Sequence, residues 1–251
     1  MSTTIINKTI TMWASPKAQL SVPFAGPWEA YGSFGINAAT SVRNLISGKP
    51  AFSIIGSPAY GPNYIELTGA QVAYLATSIK NTEDMTIVAS VMPMNDASSA
   101  VVSNYQSQRA DGSGLCIGTQ LGFDINTPAD GNVQATFNHG VLVNGVSTGA
   151  RANTPDAPIN TWSLISGRVK NSARTRTVNN LTTGTTGVNS PALNSADLGD
   201  FLRIGSAYNS QFGGVVRVCE VAILSGYLSD ADFALLVQRM RDSAAKKGIT
   251  V

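Results

Sequence analysis

Residues 202–240, LRIGSAYNSQFGGVVRVCEVAILSGYLSDADFALLVQRM, leave few folds open to this chain. They read as a strand, a glycine turn, a long alternating strand, a tight turn and one capped helix. Pleating places Val216, Val218, Glu220 and Ala222 on one face of the long strand, and Val215, Arg217, Cys219, Val221 and Ile223 on the other. Arg217 is the one charge on the second face, which is therefore expected to be the core face. Ser229 stands three residues before Asp232, the N-cap and N3 arrangement that satisfies free amides. Phe233, Leu236, Val237 and Met240 then follow at helical spacing. A sheet strand leading into a final helix indicates an architecture rather than a reaction.

The rest of the chain repeats short strands. Alternating or apolar runs at 64–67, 85–92, 99–105, 114–122, 133–143, 162–169 and 175–181 read as strands. Asp111-Gly112, Asp130-Gly131 and Asn144-Gly145 supply turns between them. Residues 71–80 are expected to form a short helix or turn, and the threonine and glycine run at 182–187 a loop. Many strands, steady turn signals and one convincing helix predict an all-β sandwich with a short C-terminal helix. Residues 3–11 alternate as a further strand, whereas Pro23, Gly26 and Pro27 break the pattern and 28–34 reads as loop or short strand. The expected organisation is an N-terminal strand or arm over 1–40, docking on a partner or packing on the main sheet, and a sandwich over 41–251.

A chain of 251 residues can bury a sizeable core without staples. Only 13% of its residues are charged, so Gly, Ser, Thr and Asn must cover much of the surface, which suits a secreted or particle-borne protein. The net charge of +2 and scattered basic residues imply no nucleic-acid partner. Cys116 and Cys219 each lie inside an apolar run, where a buried free thiol is the expected state; a disulfide stays open if their strands adjoin. His139 is the single histidine, so no Cys and His metal set exists. The N-terminus lacks a signal-peptide pattern and no run is long enough to span a bilayer, so synthesis in a host cytoplasm without membrane insertion is expected.

Several segments in order resemble the laminin G-like branch of the concanavalin A-like lectin and glucanase jelly rolls. They are RNLISG at 43–48, GSPAY at 56–60, YIEL at 64–67, MTIVASVMP at 85–93 and TWSLISG at 161–167, closed by 202–236. The resemblance covers residues 40–242 and implies a jelly-roll sandwich with Trp162 in the core. A domain of this kind, without a leader and rich in Ser, Thr, Asn and Gly, is similar to those on bacteriophage tails and virion surfaces. The resemblance implies a virion component that contacts host-surface carbohydrate or neighbouring subunits, as a homo-oligomer, with a trimer expected by analogy with fibres. Calcium serves many such domains; Asp111, Asp124, Asp130 and Asp156 sit near turns and carry suitable oxygens, although Asp-Gly pairs also serve turns alone.

Catalytic patterns are missing from the sequence. Glucanases of this fold use an alternating Glu-x-Asp-x-Glu strand, whereas Glu29, Glu66, Glu83 and Glu220 lie in separate segments. His139 lacks a Gly-x-Ser-x-Gly nucleophile or a neighbouring acid. No catalytic residue, metal ligand or required cofactor is therefore expected. Sugar recognition needs an aromatic ring for the apolar face and planar polar groups for the hydroxyls. Asn104, Tyr105 and Arg109 in SNYQSQRADG form one candidate set, and Tyr208, Asn209 and Gln211 in SAYNSQFGG the other. The competing role for Tyr105 and Tyr208 is to cover the ends of the sandwich. The functional alternatives are a purely structural assembly or decoration protein and a polysaccharide-cleaving enzyme.

Overall fold

The computed structural model describes residues 21–125, 130–192 and 195–251. Its first strands are β1 (Trp28–Ser33), β2 (Ser53–Ile55), β3 (Ala59–Tyr60), β4 (Ile65–Thr68), β5 (Tyr74–Lys80) and β6 (Met85–Pro93), with a one-turn helix α1 (Ala38–Ser41) after β1. Next come β7 (Ser99–Ser103), β8 (Thr119–Ile125), β9 (Asn132–His139), β10 (Val141–Val143), β11 (Val146–Thr148) and β12 (Arg151–Pro158). The chain closes with β13 (Ser163–Lys170), β14 (Thr175–Asn180), β15 (Thr185–Asn189), β16 (Phe201–Ile204), β17 (Val215–Leu224) and α2 (Asp230–Lys246).

Two antiparallel sheets face each other, and the protein is an all-β sandwich. One runs β15-β14-β13-β6-β17-β4-β3, with β1 also paired to β17; the other runs β12-β9-β8-β7-β16-β5-β2. Leu121, Phe123 and Phe137 of the second sheet and Ile65, Leu67, Ile87 and Ile165 of the first are wholly buried in one cluster between them. Each such side chain contributes about 1.5–3 kcal/mol by leaving water.

The outer faces of the two sheets differ. Helix α2 starts where expected, with the Ser229 hydroxyl accepting from the Asp232 amide at 3.1 Å. It lays Leu236, Val237 and Met240 on Val88, Leu164, Ala222 and Leu224, so the first sheet is buried on both faces. Its last turn is held by Glu220, a buried carboxylate that accepts from Tyr31 at 2.8 Å and Ser243 at 2.5 Å and pairs with Lys247 at 3.0 Å. Burial, and then the Glu220 charge, push the Tyr31 hydroxyl well above the ordinary tyrosine range. Among the described residues no helix lies on the outer face of the second sheet at the β2, β5 and β16 end. That open face carries the candidate site.

Several expectations are corrected. The register of β17 against β6 shifts between Val218 and Glu220, so Cys219 and Glu220 fall on one side and the alternation restarts. Val216, Val218, Val221 and Ile223 therefore face the main core, whereas Arg217 lies outside, paired with Glu66 at 2.8 Å. Tyr74–Lys80 is a strand and not a helix or turn, and the strand Thr185–Asn189 takes up the second half of the expected loop. Trp162 is half-buried, packs beside Cys219, Ala244 and Ile249 and is not a main-core residue. Both cysteines are buried and free. Of the expected arm, residues 3–11 lie outside the described residues, and Trp28–Ser33 is built into the first sheet against β17.

Candidate functional site

Alternation along β5 and β16 decides which side chains reach the open face. Leu75, Ile79, Leu202 and Ile204 point into the core, leaving Tyr74, Ala76, Ser78, Lys80, Phe201 and Arg203 outward. Register then places Lys80 opposite Phe201 and Arg203 opposite Ala76. The Lys80 ammonium sits 5.2 Å from the centre of the Phe201 ring, which is 41% exposed.

Beside this pair, Arg203 lies between two aromatic rings. Its guanidinium carbon is 3.4 Å from the centre of Tyr208 and 4.7 Å from that of Tyr74. One Nη1 donates to Gln71 Oε1 at 3.1 Å and to the Ala207 carbonyl at 3.0 Å. The Tyr208 hydroxyl donates to the Phe201 carbonyl at 2.9 Å, which fixes the ring's tilt. Burial raises the Tyr208 hydroxyl above the ordinary tyrosine value, against the opposing charge of Arg203. Tyr208 therefore stays a neutral, hydrogen-bonded ring across physiological pH.

Gln71 reaches Arg203 from a strained turn. Val72 donates to the Gly69 carbonyl at 3.1 Å, and the two central residues, Ala70 and Gln71, have φ of 51° and 65°. Such a turn favours Asn and Gly, and a side chain held there costs about 1–3 kcal/mol. The Ala70 amide donates to the Phe212 carbonyl at 3.0 Å and the Gln71 amide to Ser206 Oγ at 3.0 Å, which hold it in place.

The two sequence-predicted sets meet in space, since the Tyr208 amide donates to the Tyr105 carbonyl at 3.0 Å. Their members do different things. Asn104 is wholly buried: its Nδ2 donates to Asn81 Oδ1 and to the Asp200 carbonyl, both at 2.8 Å, and its Oδ1 accepts from the Thr119 amide at 2.7 Å. It is a scaffold residue, correcting the expectation of a ligand contact. Tyr105 packs edge-on to Phe212 at 5.4 Å over Ala100 and Ala207, closing that end of the sandwich. Asn209 Oδ1 accepts from the Gln211 amide at 3.3 Å, so Asn209 shapes the turn and Gln211 is exposed at its tip.

Arg109 bridges three segments. Its Nη1 donates to the Gly145 carbonyl at 2.9 Å, and it pairs with Asp111 at 3.5 Å and with buried Asp197 at 3.6 Å. Against it opens a cleft of 200 Å³ lined by Lys80, Gln108, Arg109, Ala110, Gly199 and Asp200. The cleft joins the aromatic face through Lys80. Its floor is rigid. The Gly199 amide donates to Asn81 Oδ1 at 2.9 Å and the Asp200 amide to Ser107 Oγ at 3.0 Å. A Cβ on Gly199 would collide with Cys116 Sγ and Ser107 Oγ.

The other chemical candidates are committed elsewhere. His139 is buried with Nδ1 2.8 Å from Thr119 Oγ1, and burial, then the charge of Arg176, push it down to about 3. Asp111 accepts from the Ser113 amide and hydroxyl, which hold its carboxyl below the usual range. Asp124 pairs with Arg151, Asp130 accepts from the Asn132 amide at 3.0 Å, and the side chain of Asp156 lies outside the described residues. Among the described residues no three acidic, His or Cys side chains gather as metal ligands do. Glu29 pairs with Lys49 and Glu66 with Arg217, Asn171 donates to Glu83, and Glu220 is buried under the helix.

Tyr74, Lys80, Phe201 and Arg203 were not among the sequence candidates. Their signal was the outward half of two alternations, Tyr74-x-Ala76-x-Ser78-x-Lys80 and Phe201-x-Arg203, which an expected helix or turn at 71–80 concealed.

The sequence matches no protein-family model and no curated protein. Solved structures do match. The receptor-binding domain of botulinum neurotoxin C/D mosaic serotype aligns with a TM-score of 0.57 at 10% identity, over 86% of this chain and 52% of that one. Trypanosoma rangeli sialidase in complex with sialic acid aligns at 0.56 and 15% identity, over 87% and 34%. A botulinum neurotoxin type C structure, of a toxin dependent on two ganglioside molecules to enter cells, aligns at 0.57 and 8%, over 84% and 51%. The chain spans about half or less of the length of these structures, and at such identity the likeness is one of fold.

Proposed function

We propose that this chain is a non-enzymatic, saccharide-contacting β-sandwich displayed on a virion surface, of the bacteriophage tail or decoration kind, where it touches host glycans. The observation that carries the reading is exposed Phe201 beside half-buried Tyr208, whose ring is held by Arg203 above buried Tyr74, on a sheet face that no described helix covers and that the Gln71 amide and the Lys80 ammonium border. The exposed Phe201 ring presents the apolar surface that a pyranose stacks on, and neighbouring amide and charged groups meet its hydroxyls. The fold is shared with structures whose names mention receptor binding, gangliosides and sialic acid, which supports a binding role without naming a ligand. The particle setting is supported by the low charge and neutral polar surface of the sequence, and by its resemblance to phage-borne sandwiches. A shallow face binds weakly, and copies displayed together multiply a modest affinity.

A second reading is favoured by one observation. Ile55 lies exposed on β2, opposite Tyr74 at the end of the described sheet, where a neighbouring subunit could add a strand and extend it. Display of the chain on a multivalent carrier against an array of host-surface polysaccharides separates the two. Retention of a subset of glycans, lost in a Phe201→Ala, Tyr208→Ala double variant that keeps its circular dichroism spectrum, supports adhesion. Failure of the multivalent form to retain any glycan overturns it and favours the assembly role.

A further inference from the structure

We infer that the cleft between Lys80 and Asp200 is a sugar subsite that takes neutral, hydroxyl-rich saccharides and disfavours sugars bearing a carboxylate; this rests on the saccharide reading above and specifies its ligand class. Firm binding of an acidic sugar calls for a guanidinium fork free to donate two parallel hydrogen bonds. The arginine that lines the cleft is committed, and Arg203 lies outside the cleft with its Nη1 in use. Arg109 is held by the Gly145 carbonyl, Asp111 and Asp197, and Arg203 by two rings, Gln71 and the Ala207 carbonyl. Of the charged residues that line the cleft, Lys80 faces Asp200, and Arg109 is paired with Asp111 and Asp197 of the adjoining pocket, so an incoming anion finds no unpaired guanidinium there.

What remains available suits hydroxyls. Neither Lys80 nor Asp200 has an ion-pair partner among the described residues, although both line one cleft. Asp200 Oδ1 accepts from the Phe201 amide at 2.8 Å, which orients the carboxylate and leaves its second oxygen for a ligand. An ammonium donates only and a carboxylate accepts only, whereas each sugar hydroxyl can do both, so a vicinal diol satisfies the two together. The Asn81, Asn104 and Ser107 network fixes the Gly199 and Asp200 backbone, and the Lys80 ammonium rests over the Phe201 ring, before ligand arrives.

The test is a nuclear magnetic resonance titration of the isotopically labelled chain with methyl glycosides of neutral hexoses, N-acetylneuraminic acid and glucuronic acid, repeated on Asp200→Asn and Lys80→Met. At least one neutral hexoside is expected to shift the Ala110 and Gly199 amides and to bind about tenfold more tightly than either acidic sugar, the scale of one like-charge contact near a protein surface. Asp200→Asn, which keeps the acceptor for the Phe201 amide, should narrow that ratio by raising acidic-sugar binding, and Lys80→Met should weaken both classes. Acidic sugars binding as tightly as neutral ones, or a ratio unmoved by Asp200→Asn, would overturn the inference and leave the saccharide reading standing. Absence of binding by every sugar sinks that reading, and the inference with it.

Discussion

The Arg203 guanidinium carbon lies 3.4 Å from the centre of the Tyr208 ring, and the hydroxyl of that ring donates to the carbonyl of Phe201, two residues before the arginine. One side chain thus fixes an aromatic surface that its own strand also contributes to. Arg203→Met keeps the apolar stem but removes two ring contacts and two hydrogen bonds. It should cost about 1–3 kcal/mol in urea unfolding and weaken glycan retention severalfold. Unchanged retention with the lost stability would make the stack purely structural.

The strained turn offers a change of opposite sign for stability. Replacing Ala70-Gln71 by Asn-Gly supplies residues suited to positive φ at both positions and should stabilise the fold by about 1–2 kcal/mol. It also deletes the Gln71 acceptor on Arg203, so glycan retention should fall as the melting temperature rises. A rise in both would show that Gln71 serves the turn alone.

The helix that covers the first sheet depends on buried charge. Lys247→Met removes the ammonium 3.0 Å from Glu220 and leaves that carboxylate uncompensated under α2. The expected loss is about 3–5 kcal/mol, read by denaturant unfolding, with glycan binding on the opposite sheet unaltered wherever the variant is folded.

His139 makes the fold acid-sensitive. Its folded value of about 3 lies below its ordinary 6.5, because burial and Arg176 disfavour the charged ring. Above pH 6.5 both states hold it neutral and it contributes no pH dependence. As pH falls from 6.5 toward 3 the unfolded chain takes up the proton first, and stability declines by about 1.4 kcal/mol per pH unit. Unfolding between pH 5.5 and 4 should approach this slope, and His139→Gln should flatten it. An unchanged slope in that variant would assign it to other groups.

The architecture was legible where pattern and period agree. MTIVASVMP at β6, the Ser229 cap and the regular turn signals led to an all-β sandwich because local chemistry decides them. The face of β17 was not, since a bulge at Cys219-Glu220 resets the alternation and the helix makes both faces apolar. Buried polar residues misled in the same way. Asn104 has the composition of a binding loop, but its amide is used by Asn81, Asp200 and Thr119, contacts that join distant segments. Tyr208 was found because it is an aromatic residue in a turn. Arg203, Phe201 and Lys80 were missed because their common face exists only once β5 pairs with β16.

The most direct test of a sugar-binding face on the second sheet is chemical-shift mapping with a glycan retained by the multivalent form. The predicted result is a contiguous set of shifted amides at Gln71, Lys80, Gly199, Phe201 and Tyr208, with the amides of α2 unmoved. Shifts gathered on α2 and the first sheet, with the Phe201 and Tyr208 region silent, would contradict the account.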